Sequence, residues 1–113
     1  MSSTDCLFCA LVAGKIPATV VAETNRTLAF YDIKPVAPVH VLVVPKEHHA
    51  NVAALASADP SLLAEVIEVA GSVAADLSDG QFRTVFNTGQ EAGQTVFHVH
   101  AHVLAGAKLG AFA

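Results

Sequence analysis

Six histidines fall within 113 residues, and three of them, His98, His100 and His102, alternate with the apolar residues Val99, Ala101 and Val103. Side chains along a β-strand point to opposite faces in turn. A strand here carries three imidazoles on one face, with neighbours about 6.5–7 Å apart, and an apolar surface on the other. Three imidazoles in a row suit two chemistries. They can ligate a transition metal. They can also handle a phosphate, because imidazole is a nucleophile at phosphorus and carries protons near neutral pH. A solvated strand that merely contains histidines is the plain alternative. Strict alternation straight after a polar loop, residues 87–95 with Gly89 and Gly93, argues against it. Glycine lets backbone N–H groups come close to an anion.

Cys6 and Cys9 form a C-x-x-C pair. In a reducing compartment that spacing points to a metal or redox site more than to a structural disulfide. A tetrahedral zinc would need two further ligands, for which His48, His49 and His98 are candidates. Two small buried thiols on a helix face are an equal reading of the same pair.

The elements that must position these groups follow from pattern. Residues 6–13 read as a short helix, with Ser3 or Thr4 able to cap its start and Gly14 its end. Residues 19–23 and 27–32 have strand composition and are joined by the turn residues Thr24, Asn25 and Arg26. Residues 39–44 form a nearly continuous apolar strand that stops at Pro45. Asp59 and Pro60 mark a helix start, as N-cap and first helical residue. Leu62, Leu63, Val66, Ile67, Ala70, Val73, Ala74 and Leu77 recur at helical spacing, so this helix runs to about residue 78. Residues 82–87 and 96–104 are the last two strands. Short connections favour antiparallel pairing of neighbours. The expected class is α+β: a five-stranded antiparallel sheet with one long helix packed on it and a short N-terminal helix.

The length allows a single domain spanning 1–113. The segments 1–5 and 107–113 are expected to be flexible or partner-contacting tails. The net charge is -4, and the six basic residues are scattered. No basic stripe exists to neutralise a nucleic-acid backbone, which excludes that class of partner. No apolar run can span a membrane, and the N-terminus lacks the charged and apolar regions of a signal peptide. A cytoplasmic location is expected. The 53% hydrophobic content is high for so small a domain, so a homodimer covering apolar surface is expected as well.

The motifs together resemble the histidine triad (HIT) family. His98-Val99-His100-Ala101-His102-Val103-Leu104 matches its H-φ-H-φ-H-φ-φ signature. Asn87, Gly89, Gly93-Gln94-Thr95 and Phe97 fit its Hint-like branch, and residues 30–35 and 38–46 resemble its other signature segment. Cys6-Leu7-Phe8-Cys9 with Gly14-Lys15-Ile16-Pro17 is similar to bacterial members. The likeness runs from residue 6 to about residue 106.

The resemblance implies a hydrolase or transferase that cleaves purine nucleoside phosphoramidates or acyl-nucleotides at the α-phosphate. It makes His100 the nucleophile that carries the nucleotidyl group, His102 its phosphate-binding and proton-handling companion, and His40 a supporting histidine. Asn87, Gly93, Gln94 and Thr95 would contact the phosphate and leaving group, and Asp32 the ribose hydroxyls. Leu7, Phe8, Ile16, Phe30, Ile33 and Leu42 would line the base pocket, although core packing alone would also account for each. The resemblance selects Cys6, Cys9, His48 and His98 as ligands of one structural zinc, with His49 as the alternative to His48. No cofactor is implied for the chemistry itself. Three positions depart from the family pattern. Val39 replaces a common glycine, Thr95 a common serine, and residues 105–113 lack a tryptophan-proline ending. Rival readings are a dinucleoside polyphosphate hydrolase, a nucleotide-binding module with vestigial catalysis, and a metal store using all six histidines.

Overall fold

The computed structural model describes residues 6–111. Helix α1 (Leu7–Val12) leads into strands β1 (Val20–Glu23), β2 (Thr27–Tyr31) and β3 (Val39–Pro45). Helices α2 (Val52–Ala58) and α3 (Pro60–Leu77) follow, then β4 (Arg83–Val85), a 3₁₀ turn at Gln90–Ala92, and β5 (Ala101–Ala105). The five strands form one sheet in the order β1-β2-β3-β5-β4, antiparallel throughout. This is the expected α+β class. Among the described residues no helix is long and apolar enough to cross a membrane.

Every residue of β3 is buried, because both faces of the sheet are covered. Val39, Val41 and Val43 face α3 and pack with Val66, Val69, Ala70, Val73 and Ala74. Ala29, Ala101, Val103 and Ala105 complete that layer. Leu42 and Val44 point the other way and pack with Leu28, Phe30 and the α1 residues Cys6 and Phe8. The continuous apolar run of β3 is therefore two alternating patterns superposed. In α3 the buried stripe holds Val69, whereas Ile67 is exposed.

Asp59 caps α3, its carboxylate accepting from Leu62 N. Its pKa is lowered by bonds from Ser61 and Leu62, with Arg26 adding to the effect. The α2 helix was not expected from the sequence. Asn51 caps it by accepting from Ala54 N at 2.9 Å. At the start of the chain Cys6, and not an upstream hydroxyl, is the N-cap of α1; Ser3 and Thr4 lie outside the described residues. Gly14, at φ 76°, ends α1. Gly14 N donates to Leu11 O, and Lys15 N to Ala10 O, the paired bonds of a Schellman cap.

The last strand is shorter than its pattern suggests, starting at Ala101 and not at residue 96. The cause lies in β3. Asp32 N bonds His40 O, and Lys46 N bonds Arg26 O, so even-numbered β3 residues turn their peptide groups to β2. Odd-numbered residues face β5, and Pro45 among them has no N–H to offer. The ladder stops after the Val43↔Ala101 pair. Beyond it Val99 N turns to His49 O, and the Pro45 carbonyl accepts from the His98 ring. His98, at the end of a bend over residues 96–98, and His100 thus stand before the strand begins. Strand β4 is likewise shorter than expected, at Arg83–Val85. Of the expected tails, residues 1–5 and 112–113 lie outside the described residues. Gly110 O accepts from Arg83 Nη2 at 2.7 Å, which ties the chain end back to β4.

Candidate active site and metal centre

A cleft of about 660 Å³ opens on the sheet face opposite α3. Helix α1 supplies one wall through Leu7, Phe8 and Leu11, and Ile16 follows from the next turn. The sheet supplies Phe30, Tyr31 and Leu42, the β2–β3 loop Asp32 and Ile33. Asn87, Gly93, Thr95 and Val96 close it from the loop before the histidines, and His100 and His102 reach in beside them. Twelve of the residues expected from the resemblance line this one cavity: Leu7, Phe8, Ile16, Phe30, Asp32, Ile33, Leu42, Asn87, Gly93, Thr95, His100 and His102. Pro17, Ala18 and Thr19 line it too, with no sequence signal beyond following Ile16.

Gln94 does not line the cleft. It is buried, and its amide is used entirely by backbone. Oε1 accepts from Gly89 N at 2.9 Å, and Nε2 donates to Ala50 O at 2.7 Å and to Val96 O at 3.0 Å. These bonds make its side chain a clip that holds the loop. Gly89 and Gly93, at φ 90° and 96°, let that loop turn tightly enough to be clipped.

The hydrogen bonds of the histidines fix where their protons sit. His100 Nδ1 lies 2.9 Å from His98 O. A carbonyl only accepts, so Nδ1 carries the hydrogen and the lone pair is at Nε2. His40 Nδ1 accepts from Val36 N–H at 3.1 Å, which puts the His40 proton on Nε2. That proton goes to His102 Nδ1 at 2.9 Å, so His102 carries its own hydrogen at Nε2. The register explains the meeting. His40 pairs with Leu104 and Leu42 with His102, so the two histidines are diagonal neighbours on one face. His100 and His102 have ring centroids 5.1 Å apart. One therefore offers the cleft a lone pair and the other an N–H.

Burial holds the His102 pKa down to about 4, with His100 and His40 adding to the effect. Burial also lowers His40, against the opposing pull of the Asp32 carboxylate, whose Oδ2 lies 3.5 Å from Nε2. The other Asp32 oxygen accepts from Lys34 N at 2.7 Å, so the residue shapes its turn and faces the cleft together.

A second group lies behind α1. Cys6, Cys9, His48 and His98 bring one ligand atom each within 4.8 Å of one another, a set that could hold a metal ion. His98 is fully buried, and its Nε2–H donates to Pro45 O at 2.8 Å. Its lone pair is therefore at Nδ1, which faces Cys6 Sγ at 3.3 Å and Cys9 Sγ at 3.5 Å. His48 Nδ1 lies 3.4 Å from Cys9 Sγ. Burial lowers the His98 pKa to about 4 and also lowers His48, which favours the neutral, metal-ligating form of each ring. Burial and the neighbouring Cys6 raise the Cys9 thiol to about 11. His49 is outside the set, its Nε2 held by Glu47 Oε1 at 2.7 Å.

Asp32, His40 and His102 form the other group close enough to share an ion. Its hydrogen bonds oppose that use. A metal on His40 Nε2 would force the ring proton to Nδ1, directly against the Val36 N–H.

A family model described as HIT domain matches residues 13–109. An uncharacterized HIT-like protein of Synechocystis sp. is 47% identical over 103 residues, which are 90% of this chain and 90% of that one. Among solved structures, a histidine triad protein from Clostridium difficile superposes with a TM-score of 0.91 at 38% identity, covering 100% of both chains. A HIT family hydrolase from Clostridium thermocellum superposes with a TM-score of 0.91 at 40% identity over 98% of both chains.

Proposed function

The chain belongs to the HIT domain family, and on that premise we propose that it is a hydrolase cleaving purine nucleoside phosphoramidates or acyl-nucleotides at the α-phosphate. The observation that carries this reading is the opposite tautomers of His100 and His102, side by side in one cleft. His100 Nε2 attacks phosphorus and forms a covalent nucleotidyl-histidine. The P–N bond breaks, and its electron pair leaves with the amine, which takes the proton from His102 Nε2. Water then attacks phosphorus and returns a proton to His102. Nucleoside monophosphate leaves and His100 is restored.

The cleft has the size of a small-molecule site. Leu7, Phe8, Ile16, Phe30, Ile33 and Leu42 give its apolar end for the base. Asp32 offers an acceptor to the ribose diol. Asn87, Gly93 and Thr95 stand on the phosphate side, held there by Gln94, and His40 keeps His102 in its donating tautomer. The reading is tested by incubating the protein with adenosine 5′-phosphoramidate and quenching in base, where phosphohistidine survives. The wild type is expected to carry a nucleotidyl adduct on His100. Turnover by His100→Ala at the wild-type rate would overturn the mechanism.

The second group fits zinc. Tetrahedral zinc, with bonds of about 2.3 Å to sulfur and about 2.0–2.1 Å to nitrogen, sets unlike ligands about 3.6 Å apart. The sulfur–nitrogen separations of 3.3–3.5 Å need little adjustment. Four protein ligands leave no position for substrate, so such a zinc is structural. Cys6, Cys9, His48 and His98 would hold one ion per chain. The homodimer expected from composition is also proposed, with a sedimentation mass of one chain as the result that excludes it.

A further inference from the structure

Helix α1 has six residues, too few to be stable by itself. What holds it is tertiary. Cys6 and Phe8 pack on Leu28, Phe30, Leu42 and Val44. Cys6 and Cys9 also bring their sulfurs to His48 and His98. The same short helix forms a wall of the cleft through Leu7, Phe8 and Leu11. Among these Phe8 touches both sites. Its ring stands edge-on to His98 at 6.0 Å between centroids and edge-on to His100 at 5.1 Å. Between those two histidines runs a second connection, the His98 carbonyl that accepts the His100 Nδ1 proton. The matched HIT domain starts at residue 13, after this helix, so Cys6, Phe8 and Cys9 lie outside that span while His48, His98 and His100 lie inside it.

We infer that Phe8 is a positioning residue linking metal binding at the Cys6–Cys9–His48–His98 group to nucleotide binding in the cleft, so that each ligand tightens the other. The inference rests on the nucleotide and zinc readings above. Its physical basis is shared ordering. Metal bound to the two cysteines fixes α1, and with it the Phe8 ring that a nucleotide must pack against. The entropy of ordering the helix is then spent once and not twice. Linkage is reciprocal, so a nucleotide in the cleft must slow the loss of metal by holding α1 from its other face.

The test uses the full zinc-loaded protein and adenosine monophosphate. Binding of the nucleotide is measured first, by calorimetry. Zinc release to excess chelator is then followed with and without saturating nucleotide. Release is expected to slow about tenfold, within the usual range of site–site coupling. Nucleotide that binds without changing the release rate overturns the linkage and leaves the functional reading standing. Failure of the nucleotide to bind overturns the functional reading, and the linkage with it. Phe8→Leu keeps an apolar wall but loses the ring edges. Simple weakening of α1 would speed release equally in both conditions and preserve their ratio. A positioning role predicts that the ratio falls below about twofold even at nucleotide concentrations that saturate the variant, whose weakened affinity is measured first. An unchanged tenfold ratio in Phe8→Leu would remove Phe8 from the inference.

Discussion

Among the described residues two clusters of ligand-bearing side chains, each built on two histidines, are suited to opposite tasks. Cys6, Cys9, His48 and His98 on one side, and Asp32, His40 and His102 on the other, both bring their ligand atoms within 4.8 Å. Their closeness and their shared pair of histidines do not separate them. Hydrogen-bond polarity does. In the first cluster the Pro45 carbonyl takes the His98 Nε2 proton, which turns a lone pair towards the sulfurs. In the second the Val36 amide takes the His40 lone pair, which turns a proton towards His102. One backbone acceptor makes a metal ligand, and one backbone donor makes a proton carrier. His98 belongs to the first cluster by its ring and serves the active site by its carbonyl, which orients His100.

The sharpest break of this comparison is His100→Ala. It is expected to lower kcat by at least about a thousandfold, as loss of a nucleophile should, and to leave no base-stable adduct. Zinc content, read by elemental analysis, should stay at one per chain. His98→Ala should do the reverse. Zinc is expected to fall towards zero, and urea unfolding to show a loss of about 2–4 kcal/mol for emptying a fully buried ring site. A His98→Ala protein that kept its zinc would erase the distinction between the clusters.

Gln94 ties the two regions together, since its amide bridges Ala50, in the segment after His48, to Gly89 and Val96 beside the cleft. Gln94→Leu leaves those backbone groups without partners, an expected cost of about 1–3 kcal/mol. KM should rise as well, because the phosphate-side loop loses its clip. A rise in KM with unchanged unfolding would instead return Gln94 to direct substrate contact.

Acid gives a smaller effect, seen in the proton-carrying cluster at His102. His102 has a pKa near 4 when folded, against an ordinary 6.5. Between those values the unfolded chain takes up a proton that the folded ring refuses. The ring's contribution to stability is therefore whole above about pH 6.5 and is lost as pH falls through 4. Partial exposure screens its size. His102→Asn should show a shallower acid loss in thermal melts, and the His102 ring signals should titrate near pH 4 by NMR. A midpoint near 6.5 would mean that the ring is not desolvated.

How far the sequence could lead follows the same division. Side-chain identity and period carried the sheet and the α3 cap at Asp59, and the resemblance to the HIT family carried the residues that meet in the cleft. What they could not carry was set by backbone partners. Nothing in the types His98, His100 and His102 says which nitrogen bears a proton, because the deciding groups are the peptides of Pro45, His98 and Val36. Alternation also overstated the last strand, since the ladder depends on what the opposite chain can donate and Pro45 donates nothing. Helix α2 escaped notice because its seven residues bury only Leu55 and so leave little periodic trace. The role of Gln94 is open in the sequence for a related reason. An amide beside a glycine suits a phosphate contact and a backbone clip equally well, and only the position of Ala50 and Gly89 decides between them.

The finest test concerns two adjacent histidines. The resemblance selects His48 as the fourth ligand, with His49 beside it as the alternative. In the fold His48 Nδ1 lies 3.4 Å from Cys9 Sγ, while His49 Nε2 is held by Glu47. What His49 gives the structure is its carbonyl, which accepts from Val99 N and continues the hydrogen bonding where Pro45 broke the ladder. That bond survives any side-chain change. His49→Asn is therefore expected to keep one zinc per chain and to shift stability by less than about 0.5 kcal/mol, as for most substitutions away from core and caps. His48→Asn should retain zinc poorly against a chelator. Equal zinc loss in the two variants would mean that the pair shares the metal, and the ligand boundary of the first cluster would have to be redrawn to include His49.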